Sequence, residues 1–156
     1  MKVLILGGAG MVGRKLAERL ARDGRLGNRE ISEMTLYDVV AAEKPASAKF
    51  PVKVAVGDLP AAGETDKLVA AKPDVIFHLA AIVSGEAEQD FDKGYRINLK
   101  GTMNLLESVR AAGHNPRIVF TSSIAVYGAP FPEKIPDDFF TTPLTSYGTQ
   151  KAIGEL

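Results

Sequence analysis

The sequence has 156 residues, 46% of them hydrophobic and 24% charged, so it is long enough and apolar enough to bury a sizeable core. Its 19 basic and 19 acidic residues leave no net charge and form no basic stripe, which argues against nucleic acid and anionic membranes as partners. It has no cysteine, which excludes disulfides, thiol catalysis and cysteine metal sites, and no apolar run approaches the roughly 18 residues of a membrane span.

The chain opens on a short apolar run followed by a glycine-rich turn. Residues 2–6 are predicted to form a strand, and the spacing Gly7-x-x-Gly10-x-x-Gly13 leads into strong helix formers that stop near Gly24. A strand, a glycine turn and a helix in this order can hold a phosphate pair, because free amides and the positive end of the helix dipole point at the anion. Ordinary turns also use such glycines, so the spacing alone decides nothing. No signal-peptide cleavage site precedes the strand, and we expect a cytoplasmic protein.

Strands and helices alternate along the rest of the chain. Further strands are predicted at residues 34–38, 51–56, 74–78 and 117–121. Helices are predicted at residues 11–23, 62–71 and 90–112, with a last one starting near Ser146. Residues 25–33, the stretch around Pro45 and the proline-containing segment 130–143 are predicted to be loops. This alternation predicts one α/β domain over residues 1–156, a doubly wound parallel sheet whose ligands bind beyond the carboxyl ends of the strands.

Two aspartates end the second and third predicted strands. Asp38 lies about two dozen residues beyond the glycine turn, where a carboxylate accepts both hydroxyl hydrogens of an adenosine ribose and repels a 2′-phosphate. Val39 and Val40 follow it, with no arginine to hold that phosphate, so we predict NAD rather than NADP. Asp58 and Leu59 are placed beside the adenine, the carboxylate accepting from the exocyclic amine and the leucine packing on the ring. The alternative for both aspartates is a residue that only shapes a turn.

Small residues follow the fourth predicted strand. Ala80 and Ala81 would let a cofactor lie against the backbone, although ordinary close packing also selects alanine. His78 precedes them, and a lone histidine at a strand end is more often structural than a ligand. With two histidines and no cysteine in the chain, we expect no metal site.

The strongest chemical signal lies near the end of the sequence. Ser122 and Ser123 leave the fifth predicted strand, and Tyr147 and Lys151 stand four residues apart on one face of a helix. Lowering the pKa of a phenol from about 10 to about 7 takes roughly 4 kcal/mol, which an ammonium and a positive nicotinamide ring can supply in a partly dry site. We predict that Tyr147 takes the proton of a substrate hydroxyl while hydride leaves the same carbon for the cofactor. Lys151 would also hold the nicotinamide ribose.

Taken together, these motifs resemble the extended short-chain dehydrogenase/reductase family, which includes the NAD-dependent sugar epimerases and dehydratases. The resemblance also rests on four further motifs, namely Asp58-Leu59, His78-Leu79-Ala80-Ala81, Asn98-x-x-Gly101-Thr102 and Thr121-Ser122-Ser123-Ile124-Ala125-Val126-Tyr127-Gly128. It covers the whole chain and implies the NAD(P)-binding Rossmann fold. Within the family, the sequence is most similar to the D-erythronate dehydrogenase branch.

The resemblance implies roles for individual residues. Ser123 would be the catalytic serine that hydrogen-bonds the reacting oxygen, since the family pattern Ser-x-x-Val-Tyr-Gly begins there, and Ser122 is the alternative. Tyr147 would be the base, with Lys151 assisting. Asn98 would support a proton relay, although in some members that position only holds backbone. The cofactor-binding residues would be Gly7, Gly10, Met11, Val12, Gly13, Asp38, Asp58, Leu59, Leu79, Ala80, Ala81, Asn98, Thr121, Tyr147 and Lys151.

The function implied by the resemblance is NAD-dependent hydride transfer from a secondary alcohol of a short sugar acid, a D-erythronate-like 2-hydroxy acid. One alternative is a nucleotide-sugar epimerase or dehydratase that keeps its NAD. Another is an NAD-binding module without chemistry, if the chain truly ends at Leu156. Family members are considerably longer, so we expect the last strands and a C-terminal substrate domain to be missing. The expected partners are a small-molecule substrate, a sugar acid or nucleotide sugar, and a second copy in a homodimer of the full-length enzyme.

Overall fold

The computed structural model describes residues 1–156, and its contacts divide the chain into two compact units. The sheet unit comprises Met1–Ala80 and Asn104–Phe120, and the helical unit comprises Ala81–Met103 and Thr121–Leu156. In chain order the elements are β1 (Lys2–Leu6), α1 (Met11–Asp23), β2 (Arg25–Leu26), β3 (Arg29–Glu30), β4 (Glu33–Asp38), β5 (Val52–Val56), α2 (Glu64–Ala70), β6 (Val75–His78), α3 (Ser84–Gln89), α4 (Phe91–Gly94), a π-helix (Tyr95–Lys100), α5 (Gly101–Ala112), β7 (Arg117–Phe120), a 3₁₀ turn (Ile124–Val126) and α6 (Ser146–Glu155).

Five parallel strands form one sheet in the order β5-β4-β1-β6-β7. The central strand β1 pairs with β4 on one side and β6 on the other, so that Val3 lies opposite both Met34 and Val75. The chain moves outward from β1 through β4 to β5, then returns to add β6 and β7 on the other side. This reversal confirms the predicted doubly wound α/β fold and puts the topological switch point at the carboxyl end of β1.

The core of the sheet unit has two halves because the side chains of β1 alternate between the two faces of the sheet. Val3 and Ile5 belong to the cluster that includes helix α1, whereas Leu4 and Leu6 pack with Leu105 of α5. These four side chains of β1, residues 3–6, are at most 2% exposed. Burial on both faces explains why this strand is an uninterrupted apolar run. No helix in the chain is both long and apolar enough to cross a bilayer.

The structure corrects the prediction at three places. The stretch predicted as a loop contains a short antiparallel hairpin of β2 and β3, whose turn includes Gly27 at a φ of +58°. Helix α3 was not predicted, because its six residues are too few to show an apolar period. The long predicted helix begins near the expected residue, but residues 95–100 form a π-helix, in which the amide of Gly101 donates to the carbonyl of Arg96.

In the helical unit, glycines allow close approach of the elements. A Cβ on Gly94 would lie 2.9 Å from Nε2 of Gln150, and one on Gly148 would collide with the carbonyl oxygen of Ala125. Helix α6 therefore packs tightly against the end of α4 and against the 3₁₀ turn, which places the segment that follows β7 beside the face of α6.

Candidate active site

The glycine turn is shaped by steric limits at two of its three predicted positions. Gly7 has a φ of +87°, and a Cβ there would lie 2.8 Å from the backbone nitrogen of Ala80. A Cβ on Gly13 would collide with the carbonyl oxygen of Gly7, so helix α1 packs directly on the turn. Gly10 is exposed, and a Cβ there would meet only the Gly7 oxygen, at 3.4 Å. The backbone at Gly10 therefore has an open face, as a ligand approaching the turn requires.

The amino end of α1 is open to an anion. Its N-cap residue is Gly10, which has no side chain to accept from the first amides, and no acidic residue stands in the first turn. Met11 and Val12 are 68% and 54% exposed. The first amides of a helix have no partner within it, and the helix dipole adds positive potential at this end. The residues present therefore fit the diphosphate of a dinucleotide.

Asp38 links the end of β4 to the glycine turn. Its Oδ2 accepts a hydrogen bond from the amide of Ala9 at 2.9 Å, and its Oδ1 accepts from the amide of Val39 at 2.7 Å. The bond to Val39 shapes the turn that follows β4, which is the alternative role considered for Asp38. The bond to Ala9 also connects the carboxylate to the glycine turn. Asp38 stays partly exposed, while Val39 and Val40 are 63% and 59% exposed. The position suits a carboxylate that accepts from ribose hydroxyls.

The side chain of Leu59 lies in the core of the sheet unit. Its side chain is 4% exposed and packs in the core with Leu4 and Leu6, so it has almost no surface left for an adenine ring. The sequence alone could not distinguish packing in the core from packing on an adenine ring, because both require an apolar side chain after Asp58. Asp58 itself is partly exposed just beyond β5, and its carbonyl oxygen accepts the amide of Ala61 in a turn.

Sequence reasoning missed Tyr37, which is buried directly before Asp38. Its hydroxyl donates to Oε2 of Glu64 at 3.0 Å. Burial raises the pKa of Tyr37, and the carboxylates of Glu64, Asp58 and Asp38 raise it further. Three carboxylates therefore surround a protonated phenol at the carboxyl ends of β4 and β5. The sequence did offer one sign that Tyr37 is buried. Side chains alternate along β4, so Tyr37 packs on the opposite face of the sheet from Leu36, in the other core cluster.

The segment after β6 is held by close packing. Leu79 packs against one core cluster and Ala80 against the other, whereas Ala81 is exposed. Because the Ala80 backbone also lies against Gly7, close packing accounts for the small side chain there. His78 is 1% exposed, with its ring 5.6 Å from that of Phe120. No group of three or more histidine, aspartate or glutamate side chains is arranged to hold a metal ion.

In the helical unit, α6 carries the predicted base and its lysine. The Nζ of Lys151 lies 5.9 Å from the centre of the Tyr147 ring and donates to the carbonyl oxygen of Thr121 at 2.9 Å. Lys151 is only 4% exposed, and burial lowers its pKa. Tyr147 is half-buried. The structure therefore places a poorly solvated amine beside the predicted base.

Ser123 begins the 3₁₀ turn that packs on α6. Its Oγ accepts from the amide of Ala125 at 3.2 Å, which leaves its hydroxyl hydrogen to donate elsewhere. Ser122 is exposed, whereas Ser123 is half-buried. This geometry favours Ser123 over its neighbour, in line with the family pattern.

Asn98 lies in the π-helix and is 3% exposed. Its Oδ1 accepts from the amide of Ile82 at 2.9 Å, and its Nδ2 donates to the carbonyl of Ile82 and to Oε1 of Gln150, at 3.2 and 2.8 Å. Both ends of the amide are therefore engaged. These contacts favour the role of holding backbone over a proton relay. Gln150, fully buried on α6, was missed by the sequence analysis.

The predicted site residues thus fall into two groups, one in each unit. The sheet unit contains the glycine turn, Asp38, Leu79 and Ala80, whereas Ala81 begins the helical unit. The helical unit brings together Asn98, Thr121 and Ser123 with the helix that carries Tyr147 and Lys151.

A protein-family model described as the NAD dependent epimerase/dehydratase family matches residues 3–156. The chain belongs to this family. The family is enzymatic and its cofactor is NAD, so the predicted family, enzyme class and cofactor are confirmed.

Known members of the epimerase/dehydratase family resemble the chain over its full length. A D-erythronate dehydrogenase from Cupriavidus necator is 47% identical, covering 100% of this chain and 49% of its own, which fits the predicted branch. The crystal structure of a nucleoside-diphosphate-sugar epimerase from Agrobacterium tumefaciens is 62% identical with a TM-score of 0.96, covering 99% of this chain and 46% of its own. A UDP-glucose 4-epimerase from Brucella ovis, solved with NAD, is 29% identical with a TM-score of 0.79, covering 99% and 45%. The chain therefore spans about half the length of these relatives.

Proposed function

We propose that the chain supplies the NAD-binding and proton-transferring parts of a dehydrogenase that oxidises a secondary alcohol of a short sugar acid. The observation that carries the proposal is the pairing on α6 of a half-buried tyrosine, Tyr147, with a buried lysine, Lys151, whose Nζ is fixed by a backbone carbonyl. As a phenolate, Tyr147 beside the Lys151 ammonium would be suited to accept a proton from an alcohol.

Three features of the sheet unit would hold NAD. The open amino end of α1 would bind the diphosphate, with the bare backbone of Gly10 allowing close approach. Asp38 would accept from the adenosine ribose hydroxyls. The carboxylates of Asp58 and Glu64, which with Asp38 act on the buried phenol of Tyr37, would add to the repulsion of a 2′-phosphate and favour NAD over NADP.

The side chains of the helical unit would carry the proton chemistry. Tyr147 would accept the proton of the substrate hydroxyl, and Lys151 would stabilise the phenolate that accepts it. Ser123 would donate its free hydroxyl hydrogen to the reacting oxygen, which orients the alcohol toward Tyr147. Bound NAD supplies the acceptor for the hydride that leaves the same carbon.

The substrate class rests on the relative from Cupriavidus necator, named D-erythronate dehydrogenase, at 47% identity. A second candidate is a nucleotide-sugar epimerase, favoured by the Agrobacterium tumefaciens structure of that description at 62% identity. The two reactions differ in what happens to the hydride. A dehydrogenase releases NADH with every turnover, whereas an epimerase returns the hydride to its substrate.

The complete protein incubated with NAD and four-carbon sugar acids tests the proposal. We expect D-erythronate or a stereoisomer to give one NADH per molecule oxidised, followed by absorbance, with UDP-glucose giving none. Conversion of UDP-glucose to its epimer without NADH release would replace the first candidate by the second. Turnover of neither class would refute the proposed substrate chemistry.

A further inference from the structure

The amino end of α6 is held by a carboxylate from another helix. Oε1 of Glu88, on α3, accepts from the hydroxyl of Ser146 and from the backbone amide of Tyr147, both at 2.8 Å. The N-cap residue Thr145 accepts from the amide of Gly148 at 3.0 Å. The helix therefore has its own N-cap and also an acceptor that is remote in sequence, and the remote acceptor binds the residue that carries the proposed base.

Glu88 is anionic when it makes these contacts. The amide of Tyr147 and then the hydroxyl of Ser146 lower the pKa of Glu88 below its ordinary value, because both stabilise the charged form. A negative charge at the amino end of a helix also complements the helix dipole. The contact is thus fully formed at neutral pH, and it weakens only as acid protonates the carboxylate.

The helix that presents Glu88 is itself fixed. Ala87, the preceding residue, is completely buried, and a Cβ on Gly94 would lie 3.2 Å from the Ala87 side chain. Lys93 forms an ion pair with Glu86 on the same short helix. Because the two residues that precede Glu88 are anchored in this way, the backbone of Tyr147 is tied to a carboxylate whose own helix is held in place.

Hydrogen bonds from other elements hold α6 both near Tyr147 and near Lys151. Lys151 is held by Thr121, and Gln150 is held by Asn98, so the second turn of α6 has its own anchors. In the first turn, Gly148 packs closely on Ala125, and Glu88 accepts the hydrogen bonds of residues 146 and 147. Without Glu88 the backbone at Tyr147 can shift at the amino end of α6 while Lys151 stays in place.

We propose that Glu88 is a positioning residue for Tyr147, an inference that rests on the proposed function. It fixes the Tyr147 backbone, and through it the distance of the phenol from Lys151 and Ser123. Misplacing a reacting group by about 1 Å lowers a rate by as much as about a hundredfold. Glu88 acts through the tyrosine and does not itself touch the substrate.

A double-mutant cycle in the complete protein tests this role. We expect Glu88→Ala to lower kcat about tenfold to a hundredfold while the Kd for NAD changes less than about twofold. Glu88→Gln should recover most of kcat, because an amide oxygen can accept from the same two donors. In a Tyr147→Phe background, Glu88→Ala should lower the residual rate no further. Gln89→Ala, at the exposed residue that follows Glu88 on the same helix, is the matched control and should keep wild-type kcat.

The outcomes separate the possible failures. An unchanged kcat in Glu88→Ala, or an equal loss with and without the Tyr147 hydroxyl, would overturn the positioning role. A Glu88→Gln variant as slow as Glu88→Ala would assign the effect to charge and overturn it as well. Full activity of Tyr147→Phe would instead refute the proposed function. If Glu88→Ala does not fold, Ser146→Ala removes one of the two donors and should lower kcat by a smaller factor that also vanishes in Tyr147→Phe; a loss that persists there would overturn the role.

Discussion

The two units hold their candidate functional groups in different ways. In the sheet unit, the groups that would meet a ligand are mainly backbone amides, placed by steric limits such as the collision that a side chain on Gly13 would cause. In the helical unit they are side chains, placed by hydrogen bonds to distant residues, as Lys151 is by Thr121. The comparison teaches that binding in this chain is encoded by local backbone shape, whereas the proposed chemistry depends on long-range contacts.

After the loss of the proposed base itself, the largest effect on kcat is expected at Lys151. Replacing Lys151 by Met should lower kcat by about a hundredfold or more, because the phenolate loses its neighbouring cation. The Kd for NAD should change much less than kcat, since the residues proposed to bind the diphosphate and the adenosine lie in the sheet unit. Lys100→Met, at an exposed lysine of the helical unit, is the control and should match the wild type.

Lys151 also predicts a pH dependence of stability. Burial lowers its pKa, so between that lowered value and the ordinary value of 10.5 the unfolded chain binds more protons than the folded chain. The free energy of unfolding should therefore gain a contribution that rises with pH over this window, and Lys151→Met should lack it. Thermal melts of the two proteins in parallel at pH 7 and pH 9.5 check this sign, and an identical pH dependence would contradict it.

A pair of glycine substitutions tests whether backbone shape governs binding. Gly13→Ala should destabilise the fold by about 1–3 kcal/mol, because its Cβ collides with the Gly7 oxygen and displaces α1. Gly10→Ala should leave the melting temperature nearly unchanged, since its Cβ has room, yet weaken NAD binding about tenfold or more by covering the open face. Calorimetric titration and thermal melts measure both properties. Wild-type NAD affinity in Gly10→Ala would contradict the assignment of that face.

Asp38 is expected to have an intermediate effect, because it serves both the turn and the ribose. Asp38→Ala removes the acceptor for the Ala9 amide and should weaken NAD binding about tenfold. It should also reduce the ratio of the affinity for NAD to the affinity for NADP. Asp38→Asn keeps an acceptor for that amide without the charge, so it should narrow the preference with a smaller loss of NAD affinity. Titrations with the two coenzymes give the Kd for NAD and the Kd for NADP. An unaltered ratio of these constants in both variants would argue against a role of Asp38 at the ribose.

The smallest effect is expected at Asp74, whose contacts lie in the sheet unit at the amino ends of β1 and β6. The amide of Lys2 and the guanidinium of Arg29 lower the pKa of Asp74, so its contribution to stability is complete above the ordinary value of 3.8 and declines as pH falls below it. Asp74→Asn should lower the melting temperature by at most about 3 °C at pH 7, and by less at pH 3. Asp138→Asn, in an exposed loop, is the control. A difference that grows in acid would contradict this sign.

Local patterns predicted the parts of the fold that local physics determines. The apolar run of β1, the glycine turn and α1 were each visible in adjacent residues, and alternation of strands and helices was enough to predict the doubly wound sheet. The hairpin of β2 and β3 was missed because two residues per strand show no period. The π-helix was missed because a shift from i+4 to i+5 bonding leaves the apolar spacing nearly unchanged.

The same reasoning limits what could be predicted of the site. The Tyr147 and Lys151 pair was recognisable from its spacing, since both lie on one helix. Gln150 and Glu88 were not, because their partners lie 52 and 58 residues away along the chain. The burial of Leu59 was not predicted for a different reason, because apolar character does not reveal whether a side chain packs in the core or against a ligand.

The central claim is that Tyr147 is a proton acceptor in a chain that binds NAD elsewhere. It is tested most directly by Tyr147→Phe in the complete protein, with kcat and the Kd for NAD measured on the same preparation. Tyr95→Phe, which removes a hydroxyl from another tyrosine of the helical unit, is the control and should retain wild-type values. We predict that Tyr147→Phe lowers kcat by about a thousandfold while the Kd for NAD changes less than about threefold. A kcat close to that of the wild type would contradict the claim.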